Sequence, residues 1–303
     1  MFLRVTLLNK RKIKKDMIEP WIVPLIGLLG LGLGSITDFQ KREVPDFLNF
    51  LLITVGLTLG LISSIHSTSV YPFLSSLIGF GVGALIGVLL YYTGQWGGGD
   101  AKMLMGLGAL HGIPLLSVLQ GNWPFFLTII ITIFFVGSIF SLIYFFIWMA
   151  IQYKKTAQAI KRVLASKTWK QFRIVYLISI LVCIGLLFYQ WALGSSLFIL
   201  LLMAISIPFL KEIQQTVMTK NQPLNKVVPG DWLVDDIYDE KGKLILKKRP
   251  LGVEPEDIEV LKKSSVKTIL IRDGVPFIPG MLAGYITSLV LGNWVATLLN
   301  LLV

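Results

Sequence analysis

The sequence is poor in charge. Asp, Glu, Lys and Arg make up 15% of its 303 residues against 54% hydrophobic ones, and the mean hydropathy is +0.74. A soluble domain carries about 25% charged residues, so a water-soluble globule is excluded. Cysteine is scarcer still. Cys183 stands alone inside an apolar run, which excludes an intrachain disulfide and a four-thiolate zinc site. The two histidines, His66 and His111, fall at the outer ends of apolar runs, away from any expected metal or acid–base role. Acids are missing from the middle of the chain: of 17, only Asp100 lies between Phe47 and Leu210. In the same stretch the cations are Lys102 and one cluster from Lys154 to Arg173. Charge confined to short joints between long apolar runs is the pattern of a multi-pass membrane protein. The net charge of +11 sits in those joints, where it reports orientation and anionic lipid headgroups and not a nucleic-acid partner.

A helix needs about 20 apolar residues to cross the hydrocarbon. Eight runs are candidates: 21–36, 47–65, 71–93, 101–119, 124–151, 174–193, 196–210 and 276–303. The seventh is short enough to be tilted or re-entrant, which would leave seven spans. The expected fold is therefore an all-α polytopic membrane protein with a small cytoplasmic α+β insertion. Its segments are a basic extension (1–16), a membrane core (17–210), a cytoplasmic module (211–275) and a final span (276–303).

Loop charge orients the chain. With the first span starting outside, the loops 37–46, 94–100, 152–173 and 211–275 face the cytoplasm and hold 2, 0, 7 and 12 Lys plus Arg, while the outer loops hold none. Residues 1–16 break this pattern with six cations, and inverting the protein would expel 21 interior cations to rescue them. Initiation at Met17 removes the conflict instead. In the polar stretch, Trp232–Tyr238 and Leu244–Lys248 read as strands around an Asp239–Gly242 turn. Pro255 with Glu254, Glu256 and Asp257 opens a helix that Lys262 and Lys263 close, and Val266–Ile271 is a further strand. The expected module is ββαβ. No internal repeat suggests the paired halves of a transporter.

Two acids lie against span ends, where an ionisable group is costly. Asp38 follows Gly34-Ser35-Ile36-Thr37 at the exit of the first span. Asp100 follows Gly97-Gly98-Gly99 at the entry of the fourth. Singly, Asp100 reads as a helix cap after a glycine turn and Asp38 as an interfacial acid beside Lys41 and Arg42. Together they lie on one side of the membrane with no other acid between Phe47 and Leu210, and a carboxylate pair sharing a proton supplies both a general base and a general acid. Such a pair hydrolyses a peptide bond without metal, thiol or cofactor. The three glycines are expected to permit positive φ and the close approach of an extended peptide. Lys102 would steady the acid or hold substrate, or else snorkel to the interface. Gly83 and Gly87 read as a helix-packing pair, and Trp96 as an interfacial anchor.

These blocks resemble the type IV prepilin peptidases. Asp38-Phe39-Gln40-Lys41-Arg42-Glu43-Val44-Pro45-Asp46 is similar to their first block, an Asp followed by basic residues and then an aliphatic and Pro. Gly97-Gly98-Gly99-Asp100-Ala101-Lys102 is similar to their second, Gly-x-Gly-Asp-x-Lys. The resemblance implies that Asp38 and Asp100 are the catalytic pair of an aspartic membrane protease with a cytoplasm-facing site. It implies pilin-like precursors as substrates, cut just before the hydrophobic helix. The archaeal branch, which processes preflagellins (archaellins), fits better than the bacterial one, whose members usually carry two Cys-x-x-Cys pairs. Its members typically begin a few residues before the first span, in line with Met17. Pro276-Phe277-Ile278-Pro279-Gly280-Met281 resembles the opening of their last span. Two other readings stay open: an ion-coupled transporter or channel using Asp100 as a proton or cation site, and a signal-peptide-peptidase-like protease. The latter shares Gly-x-Gly-Asp but sets its other acid in a Tyr-Asp pair, which Ile36-Thr37-Asp38-Phe39 does not offer.

Overall fold

The computed structural model describes residues 21–239, 242–249, 252–264, 266–272 and 274–302. The extension 1–16 lies outside these residues. Two units emerge, one of residues up to Ile143 with 275–303, the other of Tyr144–Gly274.

The first unit is helical. Helices α1 (Ile22–Lys41), α2 (Asp46–Ser67) and α3 (Tyr71–Tyr92) are each long and apolar enough to cross a membrane. Helix α4 (Gly98–His111) is not. The expected fourth span, 101–119, is broken by Gly112, at φ 62, and Pro114 before the short α5 (Leu115–Leu119). At 14 residues, α4 is about 21 Å long, short of the ~30 Å hydrocarbon. It is the buried centre of the unit instead: eight of its residues, from Ala101 to Leu110, are shielded. Being apolar all round is what a core helix requires.

Glycine makes that burial possible. On α3, Gly79, Gly83 and Gly87 form a stripe four residues apart that lies on the α4 backbone; a Cβ at Gly83 would come within 2.7 Å of the Leu104 carbonyl oxygen, and one at Gly87 within 2.9 Å of that of Ala101. The expected Gly83/Gly87 contact is thus real and extends by one turn. From α2, Leu52 packs on Gly106 and Gly30, and Gly56 on the backbone of Ala109 and Leu110. Small residues let helix backbones approach where lipid offers no hydrophobic drive between helices.

Helix α6 (Phe125–Ile151) is also of spanning length. The chain returns to the first unit with α11 (Ile278–Leu291) and α12 (Trp294–Leu302), which the element order below separates from α6 and which together make one span bent by 59°. The bend falls at Gly292-Asn293. The Asn293 side chain accepts from Thr128 Oγ1 and donates to the Trp123 carbonyl at 2.8 Å, while Trp294 Nε1 donates to Thr132 Oγ1 at 2.9 Å. His111 does not stand at an outer surface: its Nε2 lies 2.8 Å from the Tyr285 hydroxyl in the core. Among the described residues, six helices are long and apolar enough to cross a membrane, or seven spans with the bent pair, against the eight apolar runs.

In the second unit the basic stretch 152–173 is not a loop. It forms α7 (Tyr153–Ala165), whose Thr156, Ala159 and Val163 share one buried face while Lys154, Lys155, Lys161 and Arg162 stay exposed. Ala159 packs with Ile213 and Val217. Spanning helices α8 (Lys167–Tyr189) and α9 (Trp191–Val217) follow. Residues 196–210 are the middle of the 27-residue α9 and not a short re-entrant piece.

The polar module has strands β1 (Thr219–Pro223), β2 (Trp232–Leu233), β3 (Ile237–Tyr238), β4 (Leu244–Leu246) and β5 (Thr268–Arg272), with α10 (Pro255–Lys262) between β4 and β5. Its topology departs from ββαβ. The antiparallel order is β1-β5-β2, and β3-β4 is a separate hairpin. The expected strand 232–238 splits because its first two residues pair with β5 and its last two with β4. Ile269 and Ile271 of β5 alternate into a core with Leu233, Leu246, Ile258 and Leu261. The charged start of α10 behaves as expected: Asp257 accepts from the Glu254 N–H at 2.9 Å, and Arg249 pairs with both Asp257 and Glu254.

Candidate active site

Asp38 lies in the last turn of α1. The helix ends four residues on, where Arg42 adopts left-handed φ 58 and its N–H caps the Asp38 carbonyl. That closure suits a C-terminal cap, and it brings the Arg42 charge to bear on the Asp38 carboxylate. Asp38 is 7% exposed, and its Oδ2 accepts from the Ile278 N–H at 3.1 Å. Ile278 opens α11. An acid from the end of one helix therefore sits on the N-terminal turn of another, 240 residues away in sequence, where free N–H groups and the helix dipole favour negative charge.

Asp100 has a local version of the same environment. Helix α4 starts at Gly98, two residues earlier than the sequence suggests, with Gly97 as cap. Asp100, half-buried in the first turn, accepts from the Gly97 N–H at 3.0 Å through Oδ2.

Three segments meet around them. Val44, between α1 and α2, packs on Gly99, so that a Cβ there would come within 3.0 Å of the valine Cβ. Trp96, ahead of the glycines, stacks on Phe134 at 5.4 Å and lies 5.1 Å from Phe277, the residue before Ile278. At 6% exposed, Trp96 is a core residue and not an interfacial anchor; it links the Asp100 loop to the turn that holds Asp38. Lys102 neither contacts Asp100 nor snorkels freely. Its Nζ pairs with Asp46 Oδ1 at 2.5 Å and lies over the Phe50 ring, joining the first turns of α2 and α4.

The glycines differ from expectation. None of Gly97, Gly98 and Gly99 has positive φ; Gly94 supplies that, at φ 69. Gly99 is needed for the contact with Val44, whereas a Cβ on Gly97 or Gly98 would meet nothing closer than 3.5 Å. Sequence reasoning set Arg42 beside Asp38 but missed the Ile278 N–H as its hydrogen-bond donor. The Phe277-Ile278-Pro279 block was visible only as a span opening, although a Pro in the first turn does mark where free N–H groups begin. Among the described residues no three His, Cys, Asp or Glu cluster in a way that would hold a metal.

Fold and site together define a polytopic helical membrane protein with two acids on helix N-termini at one end of its packed unit. Residues 25–146, which contain both acids, match the type IV leader peptidase family. The chain is 39% identical to the preflagellin peptidase of Methanococcus voltae over 98 residues, 31% of this chain and 42% of the relative. It is 38% identical to the preflagellin peptidase of Methanococcus maripaludis over 86 residues, 28% and 37% of the two chains. For that of Methanocaldococcus jannaschii the figures are 37% over 87 residues, 28% and 36%. The matched stretch spans less than half of each of these relatives. The resemblance read from the two sequence blocks is borne out, and these relatives are archaeal.

Proposed function

We propose that this protein is a membrane aspartic endopeptidase that removes the leader of pilin-like or archaellin precursors. The observation that carries the reading is the placement of Asp38 and Asp100, each accepting an N–H of a helix's first turn or cap, inside the segment that matches the leader peptidases. One carboxylate acts as base and takes a proton from water as its oxygen attacks the scissile carbonyl. The other, protonated, donates to the carbonyl oxygen. Collapse of the tetrahedral intermediate returns a proton to the departing amine, so that no metal or thiol is required. The pair works at the cytoplasmic surface, with the substrate helix lying alongside in the bilayer, a reading that the distribution of Lys and Arg supports.

Co-expression with a pilin-like or archaellin precursor tests the reading. Shortening of the precursor by the intact protein, lost in both Asp38→Asn and Asp100→Asn, is the expected result; a fall of about 10²–10⁴-fold is typical when an acid–base group is removed. Retained cleavage in either variant contradicts the acid-pair mechanism. Failure of the intact protein to cut any such precursor contradicts the peptidase reading and favours an ion-coupled transporter.

A further inference from the structure

The cations of 154–173 are not strewn along a loop. Helix α7 fixes four of them, and it does so beside three spanning helices. Gln152 alone separates it from α6, and Ser166 from α8, which the serine hydroxyl caps by accepting from the Trp169 N–H at 3.2 Å. The buried face of α7 packs on Ile213 and Val217 of α9, with Phe145, Trp148 and Met149 of the last turns of α6. Ile213 and Val217 lie beyond Leu210, where the apolar run of α9 gives way to Lys211, Glu212, Gln214 and Gln215. The ends of two spans and the start of a third thus meet at α7, which sets this helix at the border of the hydrocarbon and not inside it.

The rest of its surface is divided. Thr156, Ala159 and Val163 face the protein. Tyr153, Ala157 and Leu164, spaced by four and seven and therefore on one edge, are exposed, the tyrosine at 64% and the leucine at 45%. Lys154, Lys155, Lys161 and Arg162 take the remaining arc, all exposed. Arg162 is drawn to Glu212 at 3.3 Å, and among the described residues no ion pair takes up the three lysines. Lys167, Lys170 and Arg173 carry the basic surface on over the first turns of α8, and no acid lies between Asp100 and Glu212. An exposed apolar edge beside a row of ammonium groups suits a helix lying in the headgroup layer, where its apolar side chains meet acyl chains and its cations meet phosphates. A soluble acidic protein or a nucleic acid would use the cations and leave Tyr153 and Leu164 in water, so the apolar edge favours lipid.

We propose that α7, with the start of α8, is a docking surface for anionic phospholipid headgroups: Lys154, Lys155 and Lys161 bind the phosphates, and Tyr153, Ala157 and Leu164 rest on the acyl chains. The inference does not depend on the peptidase reading, and its test needs no precursor.

The test uses the full-length protein in detergent, with phosphatidylglycerol and phosphatidylcholine as probes and bound lipid counted by native mass spectrometry. The parent is expected to bind phosphatidylglycerol the more tightly. The triple variant Lys154→Gln, Lys155→Gln, Lys161→Gln should lose about 100-fold of that affinity, from about five-fold per cation near the surface. A second triple variant, Lys243→Gln, Lys262→Gln, Lys263→Gln, removes as much exposed charge from the polar module and should bind as the parent does. If the α7 triple does not fold, Lys161→Gln alone, with its expected loss of about five-fold, carries the same readout. No preference for phosphatidylglycerol in the parent, unchanged affinity in the α7 variant, or an equal loss in the module variant overturns the proposal. Displacement of the lipid by glycerol phosphate does so too, since the ligand would then be a soluble anion. The apolar edge is read separately in bicelles by spin labels on Ala157→Cys and Gln158→Cys, with the buried Cys183 left in place. The label at 157 should relax faster with oxygen than with a water-soluble nickel complex, and the label at 158 the reverse; a label at 157 that responds mainly to nickel overturns the proposal.

Discussion

Helix α4 and the α8–α9 pair are both apolar, yet they use that character in opposite ways. In α4 eight of 14 residues are buried, against helices whose glycines admit backbone contact. In α8 the buried residue is Cys183, and Phe188 and Tyr189 are almost fully exposed. Hydropathy ranks both as membrane material; only the first excludes lipid from its surface. The difference matters for chemistry, because a carboxylate keeps a defined set of donors only where its neighbours are fixed. Asp38 and Asp100 lie in the close-packed region. The exposed faces of α8 and α9 carry no acid from Lys167 to Leu210.

The contrast can be broken by matched substitutions. The largest effect on stability is expected from Trp96→Ala, about 3–5 kcal/mol for a buried aromatic, measured by denaturant or thermal unfolding in bicelles. Phe188→Ala, at a side chain 89% exposed, should change stability by less than about 0.5 kcal/mol. Equal losses would show that α8 is packed as tightly as the α4 region. Gly83→Ala should cost about 1–3 kcal/mol, since its Cβ would press on the α4 backbone. Gly81→Ala on the same helix and Gly185→Ala on α8, where a Cβ meets nothing within 4 Å, should be neutral or gain up to about 1 kcal/mol in helix propensity. Smallest is the Asp46–Lys102 pair, with side chains 64% and 32% exposed. A double-mutant cycle to alanine should return a coupling no larger than about 1 kcal/mol, and a larger value would make this ion pair a main tie between α2 and α4.

Much of this arrangement is legible in the sequence for local reasons. Apolar length marks the spans, scarcity of acid isolates Asp38 and Asp100, and the four-residue glycine spacing announces close helix contact. What escapes is non-local. Nothing near Asp38 indicates that its donor is the N–H of Ile278, because that contact closes across most of the chain. The run 101–119 has a span's hydropathy; Gly112 and Pro114 mark its break locally, but only the helices around α4 make it internal. Thr219–Pro223 has no alternating apolar pattern and becomes a strand by pairing with β5. In 152–173 the count of cations hides the Thr156, Ala159 and Val163 face.

The central claim is that Asp38 and Asp100 work as one unit. Its most direct test is the rate of precursor cleavage, in single-turnover conditions, for Asp38→Asn, Asp100→Asn and the double variant. Residues that act together lose about as much singly as jointly, so the account predicts a double variant no slower than the slower single one. Losses that multiply would show two independent contributions and contradict it.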